Sequence, residues 1–467
     1  VYTPITTLPL KNGGNIVQGN ATRLEWAEVC PKVEGDEIYI LGNPPYLGFL
    51  QQTKLQKQDM DIVFANHDNI KKLDYISCWF YKGSNYINNF NAKLAFVSTN
   101  SIIQGEQVAL FWPYILNKLN IEIGFAYQSF LWVNNAKYNA GITCVIIGLR
   151  VISPEKKYIF SKNIKLEVSN INAYLSPTKN IFITKLNKPL SDFPTISLGS
   201  SAYDGGFLMI TPDEKNEIIS EYPNLEFLFK RFIGSAEFVR GIERYCLWIH
   251  DKDIDYANSI PKINARLQNV KEFRANSKRG KTLETASTPN RFTEDRHLDK
   301  PSIIVPIVTS ERREYLTLGF LNNGEVIPNS ARAIYDAKEY IFGILSSKIH
   351  MIWVKAVGGR LRTDVRYSAG VCYNSFPFPK ITQTQKDEIE ELVNIILDER
   401  AANYLKTMAE LYDPEKMPEG LKTAHHNLDM YIEKCYRDKP FESDEERLEH
   451  LFKLYEKMIK EEKNITK

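Results

Sequence analysis

No apolar run in this sequence approaches the length of a membrane span, and no signal peptide opens it. A cysteine framework is missing too. Cys30, Cys78, Cys144, Cys246, Cys372 and Cys435 are scattered without paired spacing, three of them inside apolar runs. That excludes a disulfide-stapled secreted fold and a zinc site, and it fits reduced thiols in a cytoplasm. Charge of one sign is also lacking: 59 Lys and Arg face 57 Asp and Glu, for a net +2. Any argument for a polyanionic partner therefore has to be local. What is present is an ordinary composition, 43% hydrophobic and 25% charged over 467 residues, enough for two or three domains with full cores. The chain opens at Val1, in mid-pattern and without an initiator Met, which predicts a piece of a longer protein.

The most informative stretch is Asn43-Pro44-Pro45-Tyr46, directly after the apolar run Ile38–Leu41 and Gly42. Four apolar residues closed by Gly and two prolines read as a short buried strand that ends abruptly. A loop of this kind suits methylation of an exocyclic amine on a base. The amine's lone pair is delocalised into the ring, so it is a poor nucleophile. If the Asn43 amide oxygen and the Pro44 carbonyl each accept a hydrogen bond from the NH2 group, that lone pair is freed to attack a sulfonium methyl. The prolines restrict φ and push Asn43 into an extended conformation, which sets both acceptors before the base arrives. Tyr46 offers an aromatic face on which a flipped base stacks. A chance match to Asn-Pro-Pro-aromatic is on the order of one in a few hundred for a chain this long. The bland alternative is a rigid turn.

Around that loop the pattern alternates. Asn15–Asn20 reads as a short apolar element closed by Gly19-Asn20, residues 51–90 as polar with helical stretches, and Lys93–Asn100 as a strand followed by a helix over Val108–Leu119. Ile121–Tyr127 and Ala140–Arg150 read as a closing strand pair joined by Gln128–Asn139. The sum is an α/β fold, the later half of a doubly wound sheet. Ligands bind such sheets at the carboxyl ends of the strands, a rim that would carry Asn20, Asn43 and Ser98–Asn100.

From about Leu190, strand-like runs (Phe207–Ile210, Tyr245–Ile249, Ser302–Val308 and Tyr315–Phe320) alternate with polar loops, and Asn322-Asn323-Gly324 predicts a hairpin turn. Lys262, Arg266, Lys271, Arg274, Lys278, Arg279 and Lys281 face only Glu272, a local net of +6. Such a cluster suits phosphate contacts, with a solvated helix face as the alternative. A second candidate is Gly358–Arg366, where Arg360, Arg362 and Arg366 suit guanine edges or phosphates, with Arg312, Arg313 and Arg332 as further candidates. Pairing with Glu311, Glu314 and Asp364 is the alternative there. Beyond Pro377-Phe378-Pro379 the chain turns helical and acidic, with 14 cations and 21 anions from Gln385 to Lys467. Thr384 with Asp387, and Ser443 with Glu446, have helix-capping spacing. Leu448, Leu451, Phe452, Tyr455, Met458 and Ile459 form an apolar stripe. This region reads as structural, about three helices packed on the preceding domain or clamping across a duplex.

Several of these segments also carry a resemblance. Val17–Asn20 (VQGN), Gly42–Tyr46 (GNPPY), Phe96–Glu106 (FVSTNSIIQGE), Arg244–Trp248, Ser310–Tyr315, Gly359–Arg362, Arg366–Ser368 and Tyr373–Pro379 occur in one order. Together they resemble the amino-methylating DNA adenine methyltransferases, most closely the MmeI-like type IIG restriction-modification enzymes. The resemblance runs from the first residues to Pro379. It implies adenine-N6 methylation from S-adenosylmethionine, Asn20 near the cofactor's adenine, and Asn43, Pro44 and Tyr46 around the target base. A target recognition domain that binds double-stranded DNA would follow. One family feature is missing: no strand is followed by the Asp-Pro-x-x-Gly-x-Gly loop that wraps the methionine part of the cofactor, and the glycines at 13–14, 205–206 and 358–359 lack its context. The family's N-terminal nuclease is missing as well, and Pro212–Lys215 reads as a surface turn.

The organisation expected is thus residues 1–185 as the C-terminal part of a methyltransferase domain, 186–380 as an α+β target recognition domain, and 381–467 as a small helical domain. The function expected is sequence-specific DNA adenine-N6 methylation within a restriction-modification enzyme, with this chain alone inactive and no metal in it. The competing reading is a DNA-recognition module without catalysis of its own. A third is methylation of another planar amide such as a glutamine side chain.

Overall fold

The computed structural model describes residues 14–65, 67, 72–132, 142–361 and 363–465. The chain divides into two compact units, one ending at Ile183 and one starting at Thr184. No helix among the described residues is long and apolar enough to cross a membrane.

The first unit is built on six strands: β1 (Ile38–Gly42), β2 (Ala92–Thr99), β3 (Ile121–Trp132), β4 (Ile142–Val151), β5 (Lys157–Ser161) and β6 (Ile164–Val168). Their order is β1-β2-β4-β3-β5-β6. β1 runs parallel to β2 and β3 parallel to β5, and the other pairs are antiparallel. The sheet is therefore mixed and two strands wider than the sequence pattern predicts. β5 and β6 are only five residues each: Lys157–Ser161 holds a three-residue apolar run, Tyr158–Phe160, and Ile164–Val168 is mostly exposed, so neither gives a strong core signal.

Alternate residues of β2 point to a helix-covered face, where Leu94 and Phe96 are buried. The Ser77–Ile87 helix packs there, with Phe80 edge-on to Phe96 at 5.3 Å. Its approach is close: a Cβ on Gly83 would come within 2.9 Å of Leu94. The helix over Glu106–Pro113 widens into a looser turn over Tyr114–Lys118, and buries Val108, Phe111 and Trp112.

Three expectations for this unit need correction. β1 is not a buried strand. Among the described residues it pairs only with β2, and Tyr39 and Leu41, opposite Lys93 and Ala95, are 59% and 76% exposed. Nor is Asn15–Asn20 a regular element: the described residues there form an irregular, exposed segment, with Ile16 at 94%. Part of the join expected between Gln128 and Asn139 is strand, since β3 continues to Trp132; residues 133–141 lie outside the described residues.

The second unit holds ten short strands in three sheets. β8 (Met209–Ile210), β10 (Tyr245–Leu247) and β9 (Phe229–Arg231) form one, and β13 (Gly319–Leu321), β11 (Ser302–Pro306), β14 (Ala331–Tyr335) and β7 (Ser197–Leu198) another. β12 (Val308–Thr309), β16 (Asp364–Arg366) and β15 (Gly359–Leu361) form the third. Asn322–Gly324 does turn the chain, with Gly324 at φ +86°, but it is not a hairpin. The strands on either side, β13 and β14, both pair with β11 rather than with each other. Tyr315–Leu318, expected as strand, is buried irregular chain leading to β13. Pro212–Lys215 opens a helix, Pro212–Glu221, whose start is capped reciprocally by Thr211 and Glu214.

Helices complete this unit. Glu339–Leu345 packs on Gln383–Ala402, which packs on Glu419–Tyr436, and Lys348–Val357 lies against Asp444–Ile465. The Gln383–Ala402 helix is capped by Thr382 and Gln385, two residues ahead of the pair expected from spacing. Ser443 caps the last helix as expected, its hydroxyl accepting from the Glu446 N–H at 3.2 Å. The apolar stripe of that helix buries Leu451, Phe452 and Tyr455. Phe452 and Tyr455 lie within 6.0 Å of the Trp353 ring.

Candidate functional site

At the end of β1 the chain enters Asn43-Pro44-Pro45-Tyr46. Pro44 is buried, Tyr46 half-buried, and Asn43 and Pro45 are exposed. The Asn43 side chain and the Tyr46 hydroxyl make no hydrogen bond to any described residue. Burial, then the neighbouring Cys144 and Asp74, push the Tyr46 hydroxyl's pKa up, so the ring stays neutral.

The loop's exit is held tightly. The N–H of Leu47 donates to Asp74 Oδ1 at 2.9 Å, and its carbonyl accepts from the Tyr75 N–H at 3.0 Å and Gln52 Nε2 at 3.1 Å. Asp74 is buried, and burial raises its pKa against the amides and hydroxyl that bond it. Its Oδ1 also accepts from the Ile76 N–H at 3.2 Å and its Oδ2 from Ser101 Oγ at 3.2 Å. One carboxylate thus ties the loop after β1, the turn after β2 and the start of the Ser77–Ile87 helix. Asp74 and Gln52 lie 27 and 5 residues from Leu47. Sequence reading missed both, because nothing local marks them as partners of the loop.

Asn20 lies within a second polar cluster. Its Nδ2 donates to Asp59 Oδ2 at 3.0 Å, and its Oδ1 accepts from the Thr22 N–H and hydroxyl at 3.0 and 2.8 Å. Arg23 Nε and the Tyr75 hydroxyl reach the same Asp59 at 2.7 and 2.6 Å. Burial works against the Asp59 carboxylate, but the bonds from Tyr75, Arg23 and Asn20 outweigh it and hold its pKa below the ordinary value.

In the second unit the basic run expected to touch DNA is largely tied up. Lys262 pairs with Glu217 at 2.7 Å and with Glu221, and Arg266 with Glu214 and the carbonyls of Phe207 and Met209. Arg279 and Lys281 share Glu294. Arg274 must be removed from the candidate set. It is fully buried, and its guanidinium donates to the carbonyls of Ala202, Tyr203, Thr285, Thr288 and Arg291 at 2.8–3.2 Å. Only Lys271 and Lys278 are exposed without an ion pair among the described residues.

The cations around the β15–β16 hairpin are different. Arg360 donates from Nη2 to the Lys355 carbonyl at 3.2 Å, while its Nε and Nη1, like Nε of Arg332, are buried without a hydrogen-bond partner among the described residues. Among the described residues Arg313 donates only to the Thr317 hydroxyl, at 3.4 Å. Burial lowers the pKa of Arg313, Arg332, Arg360 and Lys355, and at Lys355 the Arg360 charge adds to the fall. Glu311 and Asp364 act on Arg360, and Asp364 and Asp413 on Arg313, opposing that fall without closing an ion pair among the described residues. Arg366 is exposed and lines a groove of about 670 Å³ with Arg244, Tyr203, Asn329 and Ser330. Arg312 is held by Glu415 at 2.6 Å, and Arg362 lies outside the described residues.

Comparison with known families decides the assignment. Residues 3–161 match the MmeI DNA-methyltransferase domain, 177–380 the MmeI target recognition domain and 381–462 the MmeI C-terminal domain. The chain belongs to the MmeI family. It is 47% identical over 453 residues to DNA methyltransferase A of Bacillus subtilis (strain 168), covering 97% of this chain and 51% of that protein. It also superposes on MmeI itself, a type IIL restriction-modification enzyme solved in complex with DNA. That match has a TM-score of 0.89 and 36% identity, over 98% of this chain and 62% of the other. The chain thus spans about half the length of the curated relative it matches.

A methyltransferase of the MmeI family uses S-adenosylmethionine, and the described residues fit that cofactor at one end only. Asn20 keeps one amide proton beyond its bonds to Asp59 and Thr22, enough for a contact with an adenine ring. No described loop offers the glycine-rich cradle that a sulfonium and carboxylate would need.

Proposed function

We propose that this chain is the target-base and DNA-recognition portion of a sequence-specific DNA adenine-N6 methyltransferase of a restriction-modification system. The observation that carries the reading is the state of the Asn43–Tyr46 loop. Its exit is fixed by Asp74, Gln52 and Tyr75, while the Asn43 side chain and the Tyr46 hydroxyl make no hydrogen bond among the described residues. Preorganised, unpaired acceptors are what an exocyclic amine requires.

On this reading, the adenine N6 amine donates to the Asn43 amide oxygen and the Pro44 carbonyl, with its ring stacked on Tyr46. The two acceptors pull on the N–H protons, raise the electron density on the nitrogen and weaken its conjugation with the ring, so the lone pair can attack from the face of the base; one N–H proton is then lost to solvent. S-adenosylmethionine, when bound, supplies an electrophilic methyl group. Pro45 keeps the loop stiff. The flipped base is delivered by the second unit, where Arg313, Arg332, Lys355, Arg360 and Arg366 are the favoured DNA contacts, with Lys271 and Lys278 on phosphates. With the cofactor fitted at one end only, the chain taken alone binds DNA without turnover.

The test is Asn43→Ala in the longer protein. Methyl transfer from labelled S-adenosylmethionine to duplex DNA should fall by roughly two orders of magnitude or more, with duplex affinity kept within about twofold. Digestion of the wild-type product should yield N6-methyladenine. Turnover retained in the variant, or methyl groups found on cytosine, would sink the assignment.

A further inference from the structure

The Glu419–Tyr436 helix carries His425, Asp429 and Glu433 on its buried side, four residues apart and so on one face. A helix normally buries apolar residues there. Here each of the three side chains bonds to another segment, with Nδ1 of His425 left without a partner among the described residues. Glu433 receives Arg447 of the last helix at 2.6 and 3.1 Å. The His425 ring lies on that of Tyr315, with centroids 4.1 Å apart, and its Nε2 pairs with the Tyr412 hydroxyl at 2.7 Å. Asp429 takes two donors from two places: the Tyr315 hydroxyl at 2.8 Å on Oδ2, and the Lys348 N–H at 2.7 Å on Oδ1.

Those two donors belong to the segments that carry the under-partnered arginines. Tyr315 ends the Ser310–Tyr315 run, which holds Arg312 and Arg313 and follows β12 directly. Lys348 begins the helix that ends at Val357 and leads straight into the β15–β16 hairpin with Arg360 and Arg366. β12 and β16 are neighbours in one sheet, so the two segments meet at their far ends as well. A helix transmits a displacement at its start to the hairpin at its end, because packed elements move as units.

We propose that Asp429, acting through Tyr315 and Lys348, is a positioning residue for DNA sequence discrimination. This carboxylate on the C-terminal helices sets the Ser310–Tyr315 run and the β15–β16 hairpin in their mutual register. It makes no contact with DNA itself. The inference rests on reading those arginines as DNA contacts.

The test is enrichment from a random-sequence duplex library by the full chain, with the bound DNA sequenced. The variants are Tyr315→Phe, Asp429→Ala, Asp429→Asn and Arg360→Ala. Tyr315→Phe keeps the ring on His425 and removes only the hydroxyl. It and Asp429→Ala should reduce enrichment of the preferred sequence over its single-base variants by about tenfold, with total duplex binding within about twofold. Asp429→Asn should recover most of the preference, since its amide oxygen accepts from Lys348 and its NH2 meets the Tyr315 oxygen. Enrichment as sharp as wild type in Tyr315→Phe and Asp429→Ala overturns the proposal and leaves the network a matter of stability. Unchanged enrichment in Arg360→Ala, or none in the wild type, overturns the DNA-contact reading beneath it, and the proposal with it.

Discussion

Lys271 and Arg274 sit one turn apart on the same helix and have opposite fates. Lys271 is free in solvent, and Arg274 is fully enclosed by five carbonyls. Arg274→Ala should therefore cost about 3 kcal/mol or more, because it leaves buried carbonyls unpaired, and should show as a clear drop in a urea or thermal melt. Lys271→Ala and Lys278→Ala should leave the melt unchanged while weakening duplex binding. Removing one phosphate-binding cation should flatten the plot of log affinity against log salt by roughly 0.9. The sequence made all seven cations of this run look alike, because their partners lie elsewhere: Lys262 meets Glu217, 45 residues away, and Arg274 meets Ala202, 72 away. The Asn43–Tyr46 loop could be put forward as a candidate from the sequence for the converse reason. Its acceptors, stiff prolines and aromatic ring are contiguous, so their chemistry needs no folding to be seen. The residue that holds the loop's exit, Asp74, is brought to it only by the fold.

At the scale of elements, periodicity identified the faces that are apolar and missed the one that is not. The stripe on the last helix packs as its spacing predicts, with Leu451, Phe452 and Tyr455 buried. On the neighbouring helix His425, Asp429 and Glu433 gave no signal in the sequence, and only tertiary partners account for their burial. That burial has a pH signature. Burial pushes the Asp429 carboxyl up to about 7, with Glu433 adding to the rise and the Lys348 amide and Tyr315 hydroxyl opposing it; Arg447 faces it from the last helix. An acid raised in the folded state contributes stability that is complete below its unfolded pKa of about 4. That contribution disappears as pH rises through about 7. Asp429→Asn, which cannot ionise, should thus lose less stability than wild type between about pH 4 and pH 8, measured as denaturation midpoints across that range. Parallel profiles for the two proteins would show Asp429 ionised throughout.

For the whole molecule, the roles of the parts came from the family resemblance, while the succession of an α/β sheet, a region of short strands and C-terminal helices was readable from alternation and capping signals. The width of the first sheet was not, since β5 and β6 lack a strong pattern, and neither was the exposed position of β1. A run such as Ile38–Leu41 looks the same whether its neighbours cover it or not. That open strand has a consequence for handling the protein. Among the described residues β1 has no neighbour on one side, where its N–H and C=O groups are unpaired and Tyr39 and Leu41 are uncovered beside them. Such an edge is a template for another chain. The isolated chain should self-associate as its concentration rises, visible as growing light scattering, and Leu41→Lys should suppress this without lowering the melting temperature. Solubility at high concentration would then be decided by one strand of five residues, and a single charge placed there would be the simplest route to a well-behaved sample.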